Sequence, residues 1–327
     1  MNEPIIHIVT EQNDLPELDD SNFFHSRQLF EIAKQTPRQR PYMAVATVEG
    51  NRVVAHLLAI VRYRTIWLPP YLYMHCRIMG EGVYSYAHEG YTDQQLFSLM
   101  LDKLRAKIGN SIIYIEVSNL SQKMFAYREL KQSKFFPVHW MSIHNSLHSH
   151  TPEERISKRL KKHIRNAYAK GIVTDEVKGE DDMKAFFKLL KSHHWLKPKR
   201  YIPDERFFNI IQQRSHGRLY LTRYHGHVVG CAAVAYSQQN AYLWYMASKR
   251  KTYALVHPDE LTLWHVLDDS HARGYQHVFF LDVGLPFSHN PFREFILRFG
   301  GKPVGTYRWF RCSIRWINAI LSWIYRD

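Results

Sequence analysis

The chain has 327 residues, 45% hydrophobic and 14% aromatic, enough apolar material for two ordinary domains, which excludes a disordered polypeptide. Its 44 Lys and Arg outnumber 30 Asp and Glu, a formal charge of +14, so polyanions are the natural partners: nucleic acid, phosphorylated small molecules or an anionic membrane surface. Cys76, Cys231 and Cys312 are widely spaced in apolar runs and read as reduced core residues; no metal is expected, and neither a signal peptide nor an apolar run near the roughly 20 residues of a membrane span, which points to a cytoplasmic protein.

In chain order, residues 5–9 read as a strand and 26–34 as a helix with Leu29, Ile32 and Ala33 inward. Residues 42–48 and 52–61 form a hairpin about Glu49-Gly50-Asn51. Pro69-Pro70 then disfavours a regular strand, 93–107 reads as a helix, and 111–117 as a strand ending in YIEV. Phe136-Pro137-Val138 leads into HWMSIHNSL and a polar segment, His148-Ser149-His150, where a domain boundary is expected near residue 150.

Thr151-Pro152-Glu153-Glu154 is a capping box with Pro at the first helical position, predicting one helix over 152–170 closed by Gly171. Ile156, Leu160, Ile164 and Ala167 share one face of it, and Lys158, Lys161, Lys162 and Arg165 the other. A solvated surface is one reading of that basic face and an anion-binding surface the other. Residues 182–191 continue as an amphipathic helix, and 192–203 form an aromatic and basic loop. There Trp195 either plugs the interior or walls a cleft into which Lys197 and Arg200 reach.

Residues 219–224 and 228–236 make a second hairpin about His225-Gly226-His227, followed by a strand over 241–247. Beyond the loop Lys249-Arg250-Lys251, a helix starts at Pro258 with Asp259 and Glu260 in its first turn and ends at Arg273-Gly274. A buried strand over 277–283 (HVFFLDV) ends at Gly284, and FGGKPV precedes the last strand. VEGNRVVA matches YHGHVVG, YIEV matches FLDV, and FPV matches KPV, in the same order. Residues 40–145 and 217–315 are therefore expected to be two copies of one unit, with domains at 1–150 and 151–327. Ile317, Ile320, Leu321, Trp323 and Ile324 fall on one half of a short C-terminal helix, which either packs on the body or, with Arg311, Arg315 and Arg326 nearby, meets a membrane surface.

This order of motifs resembles the GNAT-like acyltransferases, and within them the FemAB-like group with two tandem GNAT-type domains. The resemblance covers essentially the whole chain and implies a mixed α/β fold and N-acyl transfer. The basic helix is similar to the K-x-x-I-R-x-A helix that borders the acceptor groove in that group, which makes Lys158, Lys162 and Arg165 candidate substrate-binding residues. The implied donor is acyl-CoA or aminoacyl-tRNA. GNAT folds usually cradle the pyrophosphate of coenzyme A in a Gly-rich turn at a helix N-terminus, whereas this chain has no glycine there and two carboxylates. Lys249, Arg250 and Lys251 are the candidates to hold donor phosphates just outside that position.

FemAB-like relatives in peptidoglycan synthesis move aminoacyl groups from tRNA to a cell-wall precursor. The Phe-Lys-x-x-Phe-Gly often found in the family is Phe295-Ile296-Leu297-Arg298-Phe299-Gly300 here, so the lysine is replaced and Arg293 and Arg298 are the candidates to substitute for it. Asp282, at the end of a strand facing a cleft, either caps the following loop or serves as general base, and for that role it is the best candidate, ahead of Glu294, Asp259 and His257. The expected reaction centre lies between strands 241–247 and 277–283, with Trp244 and Tyr245 alternating across the sheet so that one faces the cleft, and with the first copy shaping the acceptor side. The acceptor is expected to be the amine of an envelope-type, anionic small-molecule or lipid-linked compound, met at the inner face of the membrane. A tRNA-dependent aminoacyl transferase acting on a peptidoglycan precursor, and a non-catalytic nucleic-acid-binding or scaffold protein, are the alternatives.

Overall fold

A computed structural model describes residues 3–48, 52–65, 72–85, 90–194, 201–281 and 283–326. The first half of the chain runs β1 (Ile5–Val9), α1 (Arg27–Gln35), β2 (Gln39–Val48), β3 (Arg52–Thr65), β4 (Leu72–Met79), β5 (Val83–Tyr84), α2 (Asp93–Ile108), β6 (Tyr114–Ser118), α3 (Tyr127–Gln132) and β7 (Phe136–Ser146). The second half runs α4 (Pro152–Arg155), α5 (Lys158–Ala169), β8 (Ile172–Glu176), α6 (Gly179–His194), α7 (Glu205–Gln212), β9 (Gly217–Tyr224), β10 (His227–Ser237), β11 (Asn240–Ser248), α8 (Pro258–Ala272), β12 (His277–Phe280), α9 (Pro291–Leu297), β13 (Lys302–Cys312) and α10 (Arg315–Ile324).

The chain forms two compact units, residues 1–140 with 305–327, and residues 141–304. The expected boundary near 150 and continuous second domain differ from this division, because the chain returns to the first unit after residue 304. The two units share one topology. In the first, the order β1-β2-β3-β4-β6-β13 has antiparallel neighbours except for the parallel pair β4 and β6. In the second, β8-β9-β10-β11-β12-β7 repeats it, with β11 and β12 parallel. The closing strand of each order comes from the other half of the sequence: β13 pairs with β6, and residues 143–146 of β7 pair with β12.

Local chemistry explains the elements. In α2, the Thr92 hydroxyl accepts the Gln95 N–H at 3.2 Å and the Gln95 side chain accepts the Thr92 N–H at 2.8 Å, while Leu96, Phe97, Met100, Leu101, Leu104 and Ile108 line its buried face. β4 overturns the expectation of an irregular segment. It begins after the prolines, which lie outside the described residues, so no ladder N–H is lost within it.

The single helix expected over 152–170 is two. Ile156 is extended (φ −99°, ψ 150°) and buried, and the Ser157 hydroxyl accepts the Leu160 N–H at 3.2 Å to cap α5 anew. A serine in this position offers the backbone a cap in place of a continuing helix. The apolar face survives the break, with Leu160, Ile164 and Ala167 buried.

Candidate functional site

The parallel strand pair of the second unit opens. β11 and β12 are paired from Asn240 with His277 to Leu243 with Phe280, β12 then ends, and β11 continues through Ser248. β12 is thus shorter than the expected 277–283. In the first unit the equivalent pair is zipped to its end, Met79 with Ser118, and the Gly80 N–H continues to the Ser118 carbonyl at 2.8 Å. There Glu116 is buried between Arg77 and Arg308, each 3.3 Å from its Oε1.

A bulge marks the same opening. Ala233 pairs with Tyr245 and Val234 with Leu243, so Trp244 is the extra residue on β11. The expected alternation of Trp244 and Tyr245 fails for this reason. Both are buried against α7, Trp244 edge-on to Phe207 at 5.3 Å and Tyr245 edge-on to Phe208 at 5.5 Å, and the Tyr245 hydroxyl donates to the Tyr201 carbonyl at 3.2 Å. Neither ring is presented as a cleft wall.

The N-terminus of α8 lies next along the chain. His257 supplies the left-handed turn (φ 48°, ψ 54°) where a glycine would be usual, and no side chain caps the helix. The start of the helix sits directly on the sheet: the Thr262 and Thr222 hydroxyls are 2.6 Å apart, and a Cβ on Gly230 would run into the Thr262 Oγ1. Asp259 and Glu260 are both buried. The Glu260 Oε1 accepts from the Arg298 guanidinium at 2.7 Å, His163 of α5 stands 3.4 Å from its Oε2, and the His257 Nδ1 lies 4.0 Å away. The rings of His163 and His257 stack at 5.1 Å with an 11° tilt. Arg250 lies 3.5 Å from Asp259, whose carboxyl is held above the usual range by burial, opposed by the Arg250 charge and reinforced by that of Glu260.

The helix dipole is therefore answered from inside the protein. Two buried carboxylates occupy the electropositive end and are neutralised by their own basic neighbours, so a pyrophosphate does not fit there. Coenzyme A bound through this turn is incompatible with the residues present.

Of the other predicted residues, Lys249, Arg250 and Lys251 are exposed, and Arg250 is turned back onto Asp259. Lys158 and Lys162 are exposed on α5 with no carboxylate partner among the described residues, whereas Arg165 is shared with Glu153 at 3.2 Å. Arg293 donates to the Leu285 and Ser288 carbonyls, both at 2.7 Å, and so holds its own loop; Glu294 pairs with His289 at 2.9 Å. Of the two candidate stand-ins for the family lysine, Arg298 is the one that reaches the α8 terminus. Asp282, Trp195, Lys197 and Arg200 lie outside the described residues, although the flanking Leu281 and Val283 are buried. The sequence reading missed Glu260 and His163 as partners. They stand 97 positions apart, and only the packing of α5 beside α8 brings them together.

Comparison with known proteins agrees with this geometry. Residues 154–294 match the family model described as an acetyltransferase (GNAT) domain. FemX has a similar fold over 95% of this chain and 96% of its own, with a TM-score of 0.62 and 11% identity. The C-terminal domain of an Agrobacterium fabrum protein described as a lysylphosphatidylglycerol synthetase aligns over 92% of this chain and 91% of its own, with a TM-score of 0.58 and 11% identity. A tandem GNAT protein from the clavulanic acid biosynthesis pathway aligns over 94% and 99%, with a TM-score of 0.55 and 12% identity. At such identities the likeness concerns the fold. No curated protein matches the chain in sequence.

Proposed function

We propose that the chain is a GNAT-type N-acyltransferase of the FemAB-like kind that moves an aminoacyl group from aminoacyl-tRNA to an amine of an anionic, envelope-type acceptor, a reading supported by the GNAT domain match and the tandem fold. One observation carries the choice of donor: the α8 N-terminus is filled by buried Asp259 and Glu260, with Arg250 and Arg298 as counter-ions and His163 packed 3.4 Å from Glu260. A donor handled by many dispersed phosphates needs no such terminus, and exposed Lys158 and Lys162 suit it by counterion release. The likeness to a protein described as making lysylphosphatidylglycerol, an aminoacylated lipid, supports this reading.

In the proposed reaction the acceptor amine attacks the ester carbonyl in the gap beyond Leu243 and Phe280. The β11 backbone past the end of its pairing with β12 supplies N–H groups to the developing oxyanion. A C–N bond forms and the C–O bond to the tRNA ribose breaks, while the amine proton passes to Asp282, directly or through one water, and from there to the departing ribose oxygen, which leaves as a hydroxyl.

The test is label transfer. Full-length protein is incubated with tRNA carrying a radiolabelled amino acid, or with labelled acetyl-CoA, in the presence of peptidoglycan precursors or amine-bearing lipids. Label is expected to leave tRNA only when an acceptor is present. Acetyl transfer without any turnover of aminoacyl-tRNA would overturn the donor assignment, and tRNA bound but never deacylated would favour the non-catalytic alternative.

A further inference from the structure

The last helix, α10, is built inside out. Among its residues only Asn318 is buried, and it anchors the helix through hydrogen bonds: its Oδ1 accepts the Cys312 N–H at 2.8 Å and its Nδ2 donates to the Lys134 carbonyl at 3.0 Å. Just beyond, the Tyr325 ring stacks on Phe136 at 5.8 Å. The apolar side points outward instead. Trp316, Ile320, Trp323 and Ile324 fall at i, i+4, i+7 and i+8, on one face, and are 66%, 50%, 68% and 56% exposed. Single exposed apolar residues need no explanation, but two tryptophans and two isoleucines on one face mark a contact surface.

Charge adjoins that face. A cavity of about 790 Å³ is lined by α10, the end of β13, α2 and the turn before β7, and Arg105, Lys131, Lys134, Arg311 and Arg315 line it against a single carboxylate, Asp102. Arg105 is held by Asp102 at 3.2 Å and the Ser133 carbonyl at 3.3 Å. The buried Nε of Arg311 has no hydrogen-bond partner. Burial, then the charge of Arg105, hold the Arg311 guanidinium below its ordinary pKa. The cluster thus has cations in excess and room for an anion.

We propose that α10 and this basic cavity form a docking surface for an anionic phospholipid bilayer, with the Trp and Ile face entering the headgroup boundary and a lipid phosphate taken by Arg311, Arg315 and their neighbours. At ten residues the helix is about 15 Å long and lies flat, and among the described residues no helix is long and apolar enough to cross a membrane. Charge complementarity selects this occupant. Nucleic acid would use the cations but leave Ile320 and Ile324 in water, and a second copy would cover the apolar face while bringing two cationic clusters together. The proposal stands whatever the acyl donor is.

The experiment is co-sedimentation of the full chain with phosphatidylcholine vesicles and with vesicles that also contain phosphatidylglycerol, read together with tryptophan emission. Salt-sensitive binding to the phosphatidylglycerol vesicles with a blue shift is expected. Trp316→Ser with Trp323→Ser should weaken partitioning to both vesicle types by about tenfold or more. Lys131→Gln with Arg315→Gln, at two exposed positions, should abolish the preference for phosphatidylglycerol. Four results would overturn the proposal: wild type that does not bind these vesicles; variants that all bind like wild type; a tryptophan variant that turns a dimer into a monomer with vesicle binding unchanged; or a Lys131/Arg315 variant that loses tRNA but not vesicle binding.

Discussion

The two units repeat one topology and part company at the end of its parallel strand pair. In the first, β4 and β6 stay paired to Met79 and Ser118, and Glu116 is locked between two buried arginines. In the second, β11 outruns β12 by five residues, from Trp244 to Ser248, and the bulge at Trp244 turns both aromatic rings away onto α7. A sheet edge that outruns its parallel neighbour can meet a reacting carbonyl, and a zipped one cannot. On the proposed function the closed copy stabilises and the open copy reacts, so Glu116 and Asp282, which sit in matching motifs, should respond to mutation in opposite ways.

The largest effect is expected from the closed copy. Glu116→Gln leaves Arg77 and Arg308 without their shared buried counter-charge and should cost about 3 kcal/mol or more of stability by urea denaturation, with turnover per folded molecule unchanged. Asp282→Asn should do the reverse, lowering turnover by roughly 10²-fold with little change in the denaturation midpoint. If Glu116→Gln lost turnover and Asp282→Asn lost stability, the roles assigned to the copies would be exchanged.

Acid sharpens the contrast next. His25 is fully buried, its Nδ1 accepts the Leu58 N–H at 3.0 Å, and its pKa is lowered to about 3, chiefly by burial and then by neighbouring His56. His56 and His75, also buried in the first unit, are lowered to about 4 and about 3. The unfolded chain, with histidines titrating near 6.5, takes up protons first, so this stability is fully present above about pH 6.5 and is lost as pH falls towards 3. By pH 5 the loss from His25 alone should be on the order of 2 kcal/mol. Hydrogen exchange should show the first unit opening before the second on acidification; equal loss in both would remove the distinction.

The smallest effect concerns the basic face of α5. Changing Lys158, Lys162 and Arg165 to Ala should weaken tRNA binding modestly and flatten its salt dependence, each lost phosphate contact removing roughly 0.7 to 0.9 from the logarithmic slope. Arg165 should contribute least, because Glu153 already engages it. An unchanged slope would make α5 an ordinary solvated surface.

Much of this was legible in the chain. The hairpins about residues 50 and 226, the apolar stripes of α2 and α5, and the ordered motif pairs follow from short-range turn chemistry and periodicity. Elements whose signals are brief or compete were not. β8 is five residues long, α7 follows a stretch of sequence rich in Pro and Lys, and Ser157 looks like a tolerable helix residue until its capping bond is seen. Long-range facts left no local trace: the exchange of the closing strands, the bulge at Trp244, and the meeting of Glu260 with His163 and Arg298. The carboxylates at the α8 start were visible as a departure from a phosphate-binding turn; their burial, which decides its meaning, was not.

The central claim is that the open copy carries the reaction while its helix terminus is closed to coenzyme A. Hydrogen exchange of residues 257–262, measured on the full chain with saturating coenzyme A and separately with aminoacyl-tRNA, tests it most directly. The account predicts no added protection of the first turn of α8 by coenzyme A, and protection by tRNA on α5 and over residues 244–248. Protection of residues 257–260 by coenzyme A, abolished by its removal, would show that a pyrophosphate does enter the space held by Asp259 and Glu260 and would contradict the account.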